Sequence, residues 1–412
     1  RAELVRAGYA EARPGDEPDV VIVNTCTVTA RADQEARQLI RRLAREHAGA
    51  RLVVTGCYAQ RAPDEVAAIP GVARVLGTAE RDRITAELGS PAGITVAPAR
   101  GRRDFAEAAP VTFGRTRALL KVQDGCDAFC AYCIVPYVRG RSRSLPIPAA
   151  LEQARRLLDA GFHELVVTGA DLGAYGRDLG EGKGGHLPRL VEALLALSGA
   201  HRVRLSSIEP HKVDPALVSL LGAEPRLCRH LHLPLQSGSA SVLRAMRRPY
   251  TPGHYADLIE RIAARGTVAV GSDVIVGFPG EGERQFGETL RLIERLPLAY
   301  LHVFRYSPRP GTRAAEAPAD PPPPVATTRD RSERLRSLGE AKRLAFFRAL
   351  VGSELDSVLE RPDRAGVAHA MTDVYAPVRL SGQPTMRGRF RVRVESLEGG
   401  VLAGMVAAAP AG

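Results

Sequence analysis

Three thiols crowd one short stretch of this chain. Cys126, Cys130 and Cys133 lie in Asp-Gly-Cys-Asp-Ala-Phe-Cys-Ala-Tyr-Cys, a CxxxCxxC spacing that offers three thiolates to one centre. Thiolates are soft ligands suited to iron-sulfur clusters or to zinc. A [4Fe-4S] cube gripped by three of them keeps one iron open to an exogenous ligand, whereas structural zinc is normally closed by four ligands. No CxxC or HxxxH partner follows at finger spacing, so the run favours the cube and leaves a zinc knuckle as the alternative.

Two more cysteines stand where a parallel sheet would place ligands. Asp19 to Val23 reads as a strand running into Asn24-Thr25-Cys26, and the next segment puts Ala36, Leu39, Ile40 and Leu43 on one helical stripe. Arg51 to Thr55 reads as a second strand, ending in Gly56-Cys57. Alternating strands and helices build a parallel sheet whose ligands sit beyond the carboxyl ends of the strands, so Cys26 and Cys57 are expected on one edge. The plainer reading is two small buried thiols.

A polar stretch from Pro91 to Arg103 separates this unit from a strand at Ala118 to Val122, which leads straight into the cysteine run. Further strands are expected at Glu164 to Thr168, Arg202 to Ser207, His230 to Leu235, Val268 to Val276 and Leu301 to Tyr306, with helical crossovers. Six such strands make a partial β/α barrel, with its chemistry at their carboxyl ends. Small or polar residues cluster there: Gly169 and Asp171, Glu209, Gln236 and Ser237, and Gly277 to Glu281. Glycine admits close backbone approach and polar groups fix a ligand, so these form a candidate binding rim, although each alone is ordinary loop chemistry. His230 and His232 share a strand face and are expected to look into the lumen. The run Gly180 to Gly185 lacks the spacing of a phosphate loop and reads as a surface loop.

Asp320 followed by Pro321 to Pro324 is expected to end the barrel, with the arginine-rich helix from Thr328 to about Leu350 leading outward. From Gly352 short alternating stretches predict a small antiparallel barrel. Arg389, Arg391 and Arg393 alternate onto one face and, with Arg379 and Arg387, are candidates to track a phosphate backbone, with Tyr375 or Phe390 available to stack on a base. A merely solvated basic face is the alternative.

The whole is 412 residues, enough for two or three domains. Apolar residues make up 45% and charged residues 25%, near globular averages, and no apolar run reaches the roughly 20 residues of a membrane span. Six cysteines, three on one loop, make a poor disulfide framework and point to a reducing cytoplasm. The net charge of +11 favours a polyanionic partner, though only four of the 57 basic residues are lysines, a bias that genome composition also produces.

Taken together, Val23 to Thr29, Gly56 to Gln60, Gln123 to Cys126, Cys133 to Gly140, His232 to Gly238 and Tyr306 to Thr312 closely resemble the radical-SAM methylthiotransferases, essentially end to end. Asn-Thr-Cys-Thr-Val-Thr and Arg-Ala-Leu-Leu-Lys-Val-Gln-Asp-Gly-Cys look like the branch acting on N6-threonylcarbamoyladenosine beside the tRNA anticodon. The isopentenyladenosine branch and the branch acting on a ribosomal-protein aspartate usually differ at both places. The resemblance implies an α/β N-terminal domain over residues 1–100, a partial (β/α)6 radical-SAM barrel over 101–345, and a C-terminal TRAM domain, OB-like and all-β, over 346–412.

Carried over residue by residue, Cys126, Cys130 and Cys133 would hold the [4Fe-4S] cluster that cleaves S-adenosylmethionine (SAM). Cys26 and Cys57 would be two of three ligands to an auxiliary [4Fe-4S] cluster. On the reading of the strand ends and of the alternating arginines, Gly169, Asp171, Glu209, Gln236 and Ser237, with Tyr132 of the cysteine run, are the candidates to contact SAM, and Arg379, Arg389, Arg391 and Arg393 those to contact the anticodon stem-loop of tRNA. The third auxiliary cysteine is absent; in relatives it lies upstream of the helix with which this chain begins, so trimming at the start is the expectation. No family role attaches to Cys228, expected as a buried thiol.

Replacing an aromatic C-H by C-S-CH3 has neither a leaving group nor an acidic proton, so the resemblance assigns radical chemistry to cofactors. It implies that a 5'-deoxyadenosyl radical from SAM activates C2 of the base, that a second SAM methylates sulfur on the auxiliary cluster, and that an unidentified low-potential electron donor and sulfur source serve the reaction. Arg139, Arg141 and Arg143 are candidates for phosphate or SAM carboxylate, or are simply solvated. The rival from another class is a non-catalytic, zinc-stabilised RNA-binding protein, which would be colourless where a cluster protein is brown.

Overall fold

Val20–Thr25, Arg51–Gly56, Val72–Leu76 and Gly93–Thr95 pair in chain order as an all-parallel sheet. They belong to a computed structural model that describes residues 2–13, 15–102, 105, 116–180, 186–363, 365–382 and 388–408; Arg387 and most of the 180–185 glycine run lie outside these. Alternation along Arg51–Gly56 buries both faces. Leu52 and Val54 meet Ile40, Tyr58 and Val66, while Val53 meets Leu76, Ile84 and Leu88. The helix Ala30–Glu46 starts at Thr29, whose hydroxyl accepts from the amide of Ala32 at 3.1 Å, supplying an acceptor to a first turn whose amides have none within the helix. The Pro91 to Arg103 stretch is more than a linker, because Gly93–Thr95 within it forms the fourth strand.

By compactness the chain divides into two units. The first comprises Arg1–Ala109, Asp124–Arg143 and Ser307–Pro318, so the cysteine loop is grouped with the N-terminal sheet. The second comprises Pro110–Gln123, Ser144–Tyr306 and Ala319–Gly412.

In the second unit the six expected strands are all present: Ala118–Lys121, Glu164–Thr168, Arg202–Leu205, His230–His232, Ala269–Val276 and Tyr300–Arg305. They form two parallel three-stranded sheets linked by a parallel bridge between Ser207 and His232, with Ala118–Lys121 and Tyr300–Arg305 as outer strands. Helices Ile147–Asp159, His186–Leu195, Pro252–Ala263 and Glu283–Arg295 fall between strands in the β/α manner. The helix Val325–Leu350 does not lead outward as expected. Gly339 lets it lie against Leu301, and Arg331 is buried, its Nη1 donating to the carbonyl of Glu281 at 2.6 Å.

Glu354–Leu359, His369–Thr372, Pro377–Leu380, Arg389–Glu398 and Val401–Ala408 close into a five-stranded barrel. Period-two alternation turns Phe390, Val392 and Val394 into its core and Arg391 and Arg393 outward. Phe390 is 0% exposed, so the expectation that it might stack on a base is corrected: it is a core residue.

A buried charge network fastens this barrel to the parallel strands. Glu164 accepts from Arg202 Nε and Arg204 Nε, both at 2.7 Å. Arg202 also reaches Asp356 Oδ2 at 3.0 Å and the carbonyl of Met371 at 2.8 Å, and Arg204 the carbonyl of Thr372 at 2.7 Å. Burial opposes ionisation of Glu164, but Arg204 and Arg202 hold its carboxyl well below the usual range.

Candidate functional site

Register pairs Thr25 with Gly56, so Cys26 and Cys57 leave adjacent strands at the same level. Gly56 has φ +101°, and a Cβ there would stand 2.4 Å from the carbonyl oxygen of Thr25; only glycine fits so near the neighbouring strand. Cys26 is exposed, with its sulfur accepting from the amide of Val28 at 3.5 Å, and Cys57 is buried at the start of Cys57–Arg61.

Behind both cysteines lies a polar knot. Thr27 Oγ1 donates to Asp33 Oδ1 at 2.5 Å and accepts from Arg61 Nε at 3.0 Å, while Arg61 Nη2 reaches Asp33 Oδ2 at 3.1 Å. Arg309, 2% exposed, pairs with Asp33 as well and donates to Thr27 Oγ1 at 3.2 Å. Thr27 follows Cys26 and Arg61 stands one turn after Cys57, so this knot fixes both thiol-bearing segments.

The cysteine loop is shaped by its own backbone. Gly125 has φ +71°, and a Cβ would meet the carbonyl oxygen of Arg141 at 1.9 Å. The amide of Cys126 donates to the carbonyl of Gly140 at 3.1 Å, that of Cys133 to Cys130 at 3.0 Å, and Cys126 Sγ accepts from the amide of Ala128 at 3.4 Å. Arg143, buried, donates to the carbonyls of Arg139 and Arg141 at 3.0 and 2.8 Å and lies 3.6 Å from Asp124 Oδ2. Arg141 pairs with Asp127 at 2.5 Å. Arg143 thus braces the loop from inside, whereas Arg141 stays exposed in a surface pair.

The helix Val135–Arg139, directly after Cys133, packs its Ile134 cap and Val138 on Cys57, with Tyr137 alongside. Arg139 at its end lies 3.5 Å from Asp124 and is near enough to Cys57 to feel its charge. Burial disfavours the Arg139 charge, but Cys57, Asp124 and Cys26 outweigh it and hold the guanidinium more firmly protonated than usual. One unit therefore contains all five motif cysteines, with Cys57 against the helix that leaves the three-thiol loop.

Three thiols on one loop, with an amide donating to Cys126 Sγ, suit a cluster, whose charge is delocalised onto its ligands. A mononuclear zinc would draw four ligands to roughly 3.8 Å of one another, and among the described residues no three His, Cys, Asp or Glu converge on a single ion. Tyr132, in the same unit, is half-buried.

The rim residues stand at carboxyl ends of strands in the second unit. Gly169 faces Gln123, whose side-chain oxygen accepts from the amide of Asp171 at 2.7 Å. Asp171 is buried against Lys212 at 2.5 Å, and Glu209 pairs with Arg248 Nη1 at 3.1 Å. Gln236 takes φ +64° and bridges Val274. Ser237 is buried, 3.3 Å from the hydroxyl of Thr289, and its hydroxyl accepts from the amide of Ser239. On the C-terminal barrel Arg391 and Arg393 are exposed and Arg379 pairs with Glu398, whereas Arg389 turns to Asp356 at 3.2 Å and to the carbonyl of His201 at 3.3 Å. Cys228 is buried as expected, which pushes its thiol up to about 12.

Sequence reasoning missed the Asp33–Arg61–Arg309 knot, the cationic partners Lys212 and Arg248, and a lumen chain in which Ser207 Oγ lies 2.7 Å from His232 Nδ1 and His232 Nε2 lies 3.2 Å from Asp273. The only signal was a charged or polar residue in an otherwise apolar or Pro/Gly-rich run, as at Arg309.

The radical SAM superfamily matches residues 120–293, and uncharacterized protein family UPF0004 matches residues 1–77. The chain is 36% identical over 407 residues to the threonylcarbamoyladenosine tRNA methylthiotransferase MtaB of Bacillus subtilis, covering 96% of this chain and 89% of that protein. It is 33% identical to the protein of that name from Aquifex aeolicus, covering 95% of each. It is 36% identical to a tRNA-2-methylthio-N(6)-dimethylallyladenosine synthase of Novosphingobium aromaticivorans over 87% of this chain and 82% of that protein. Among solved structures, the radical S-adenosylmethionine methyltransferase TsrM of Kitasatospora setae, with cobalamin and a [4Fe-4S] cluster bound, superposes with a TM-score of 0.55 at 15% identity, over 73% of this chain and 67% of that one, a likeness of fold.

Proposed function

The chain belongs to the radical-SAM tRNA methylthiotransferases, and from that membership we propose that it converts N6-threonylcarbamoyladenosine in tRNA to its 2-methylthio derivative. The carrying observation is the near end-to-end match to enzymes of that name, together with one unit that holds both groups of motif cysteines. The dimethylallyladenosine relative matches a smaller share of the chain. The family's cofactors are SAM and [4Fe-4S] clusters.

When bound, these cofactors supply a carbon-centred radical and an activated methylated sulfur, which no side chain can provide. Cys126, Cys130 and Cys133 would hold the SAM-cleaving cluster on a loop set by Gly125. Cys26 and Cys57 would contribute to the auxiliary cluster, with Arg139 offsetting the negative charge of thiolate ligands. Gly169, Asp171, Glu209 and Gln236, with Tyr132, would orient SAM, and Ser237 would support that rim from below. Lys212 and Arg248 pair with two of the rim carboxylates and fix them, so that SAM would meet a prearranged surface.

We assign the three-part division 1–100, 101–345 and 346–412 to the methylthiotransferase, radical-SAM and TRAM domains. The tRNA would be gripped at its anticodon stem-loop by the C-terminal barrel, chiefly through Arg391 and Arg393, with Arg379 beside them. None of the six cysteines is in a disulfide, and no helix among the described residues is long and apolar enough to cross a membrane. Both accord with a cytoplasmic enzyme served by a low-potential electron donor and a separate sulfur source. Mass spectrometry of tRNA nucleosides from a deletion strain tests the reading. Loss of methylthio-threonylcarbamoyladenosine, restored by the wild-type chain and not by Cys130→Ala, is expected; loss of the isopentenyl analogue instead would move the assignment.

A further inference from the structure

A cavity of about 510 Å³ lies wholly within the second unit, between the parallel strands and the C-terminal barrel. Its wall combines stacked rings with guanidinium groups. The rings of His230 and Tyr375 stack at 4.5 Å, and Tyr300 lies 6.1 Å from His230 and 6.0 Å from Tyr375, so the three form one aromatic cluster of which Tyr375 is the exposed member. Tyr375 is 38% exposed and has φ +59°, a conformation uncommon for a bulky side chain, so the turn before Pro377–Leu380 projects this ring at a conformational cost. The Arg204 and Arg117 guanidinium carbons lie 5.3 and 6.0 Å from the Tyr375 centroid.

Most of the buried charge here is already matched: Arg204 by Glu164, and Arg117 by Glu360 at 2.8 Å. Arg361, exposed on the wall, has no ion pair among the described residues. Two buried wall atoms lack a hydrogen-bond partner: His230 Nδ1, on a side chain 4% exposed, and Ser206 Oγ. The other nitrogen of His230 is taken by the hydroxyl of Tyr300 at 2.9 Å. A room of this size, with stacking surface, one spare cation and unmet polar atoms, has the chemistry of a nucleotide pocket.

Its stacking wall lies away from the rim: His230 and Tyr300 are the first residues of their strands, whereas Gln236 of the rim follows the end of its strand, and Ser207 and His232 carry the cavity towards that side. We propose that the cavity takes an unstacked nucleotide of the tRNA other than the modified adenosine, its base stacking on Tyr375 at the exposed edge of the Tyr300–His230–Tyr375 cluster and its phosphate meeting Arg361. The proposal rests on the tRNA reading above. RNA is favoured over a free metabolite because Arg361 and Tyr375 belong to the C-terminal barrel segment, on a chain of net charge +11.

Fluorescence anisotropy of the full chain with unmodified tRNA decides it. Tyr375→Ala is expected to weaken binding roughly 5- to 150-fold, the range for loss of one base stack, and Tyr375→Phe to restore it. Arg361→Ala should lower the slope of log affinity against log salt by about one. Should Tyr375→Ala not fold, as judged by its melting curve, Arg361→Ala decides alone. Wild-type affinity and salt slope in the folded variants would overturn the pocket while leaving the tRNA reading intact, and so would a pocket saturated by free AMP, CMP, GMP or UMP without effect on tRNA binding. A wild-type chain that binds no tRNA would instead remove the reading beneath it.

Discussion

Asp33 is 4% exposed and shares its carboxylate among Thr27, Arg61 and Arg309, so three segments distant in sequence converge on two oxygens. Removing one member of a buried ion group costs far more than the group contributes over an apolar substitute, because the remaining charges stay desolvated. Asp33→Ala strands two guanidinium groups and should destabilise the chain by about 3–5 kcal/mol, read from urea unfolding followed by circular dichroism. Because the knot holds the residue after Cys26 and the helix of Cys57, iron bound by a folded Asp33→Ala chain should also fall. A loss below about 1 kcal/mol would mean that the group behaves as a surface pair. Arg139 makes a related point from the other side of Cys57: a cation beside thiols, at the end of a helix that the three-thiol loop feeds, is legible only once Cys57 and Val138 are seen to pack together.

Elements carry the cysteines through turns that glycine alone permits. At Gly125 the positive φ and the carbonyl of Arg141 act together, since a methyl group would meet that oxygen at 1.9 Å and the loop opposite is braced by buried Arg143. Gly161 separates the two effects: its φ is +86°, yet a Cβ there meets nothing within 4 Å. Gly161→Ala should therefore cost only the backbone strain of about 1–3 kcal/mol with iron content unchanged. Gly125→Ala should displace the loop, losing about four irons per chain after reconstitution and the formation of 5'-deoxyadenosine from SAM. Equal iron in the two variants would show that the loop can shift without harm. The six barrel strands and the edge position of Cys26 and Cys57 were readable because short apolar runs that alternate with helical periods mark the strands of a parallel sheet, and the residues after each run then fall at its carboxyl edge. The strand Gly93–Thr95 was not, since three residues carry no period and pairing with Val72–Leu76 alone makes them a strand. The outward course expected of Val325–Leu350 failed for a related reason: Arg331 looks solvated in sequence until Glu281 is found beside it.

At the scale of the whole molecule, charge and burial set how the fold answers to pH. Net charge was legible and favoured a polyanionic partner, but which arginines face outward was not: Arg202, Arg204 and Arg331 are spent inside, and Arg389 turns to Asp356. Histidine is the group that titrates in the working range, and here burial depresses five of them in the second unit: His163, His201, His230, His302 and His211, the last to about 4. The folded chain thus declines protons that the unfolded chain accepts near its ordinary value of about 6.5. Wherever the unfolded state binds more protons, stability rises with pH. Stability should therefore fall steadily as pH drops from about 7 towards 4, the window between the unfolded histidine value and that of folded His211. Glu281 works the other way, because burial raises its carboxyl and the folded form gains its proton first, but it is one group against five. The urea midpoint of the second unit, followed by circular dichroism between pH 7.5 and 5.0, should decline throughout, and His230→Gln should flatten that decline if it folds. A midpoint that holds level or climbs over this range would mean that these imidazoles accept protons in the folded state as readily as in the unfolded one, through water reaching the lumen.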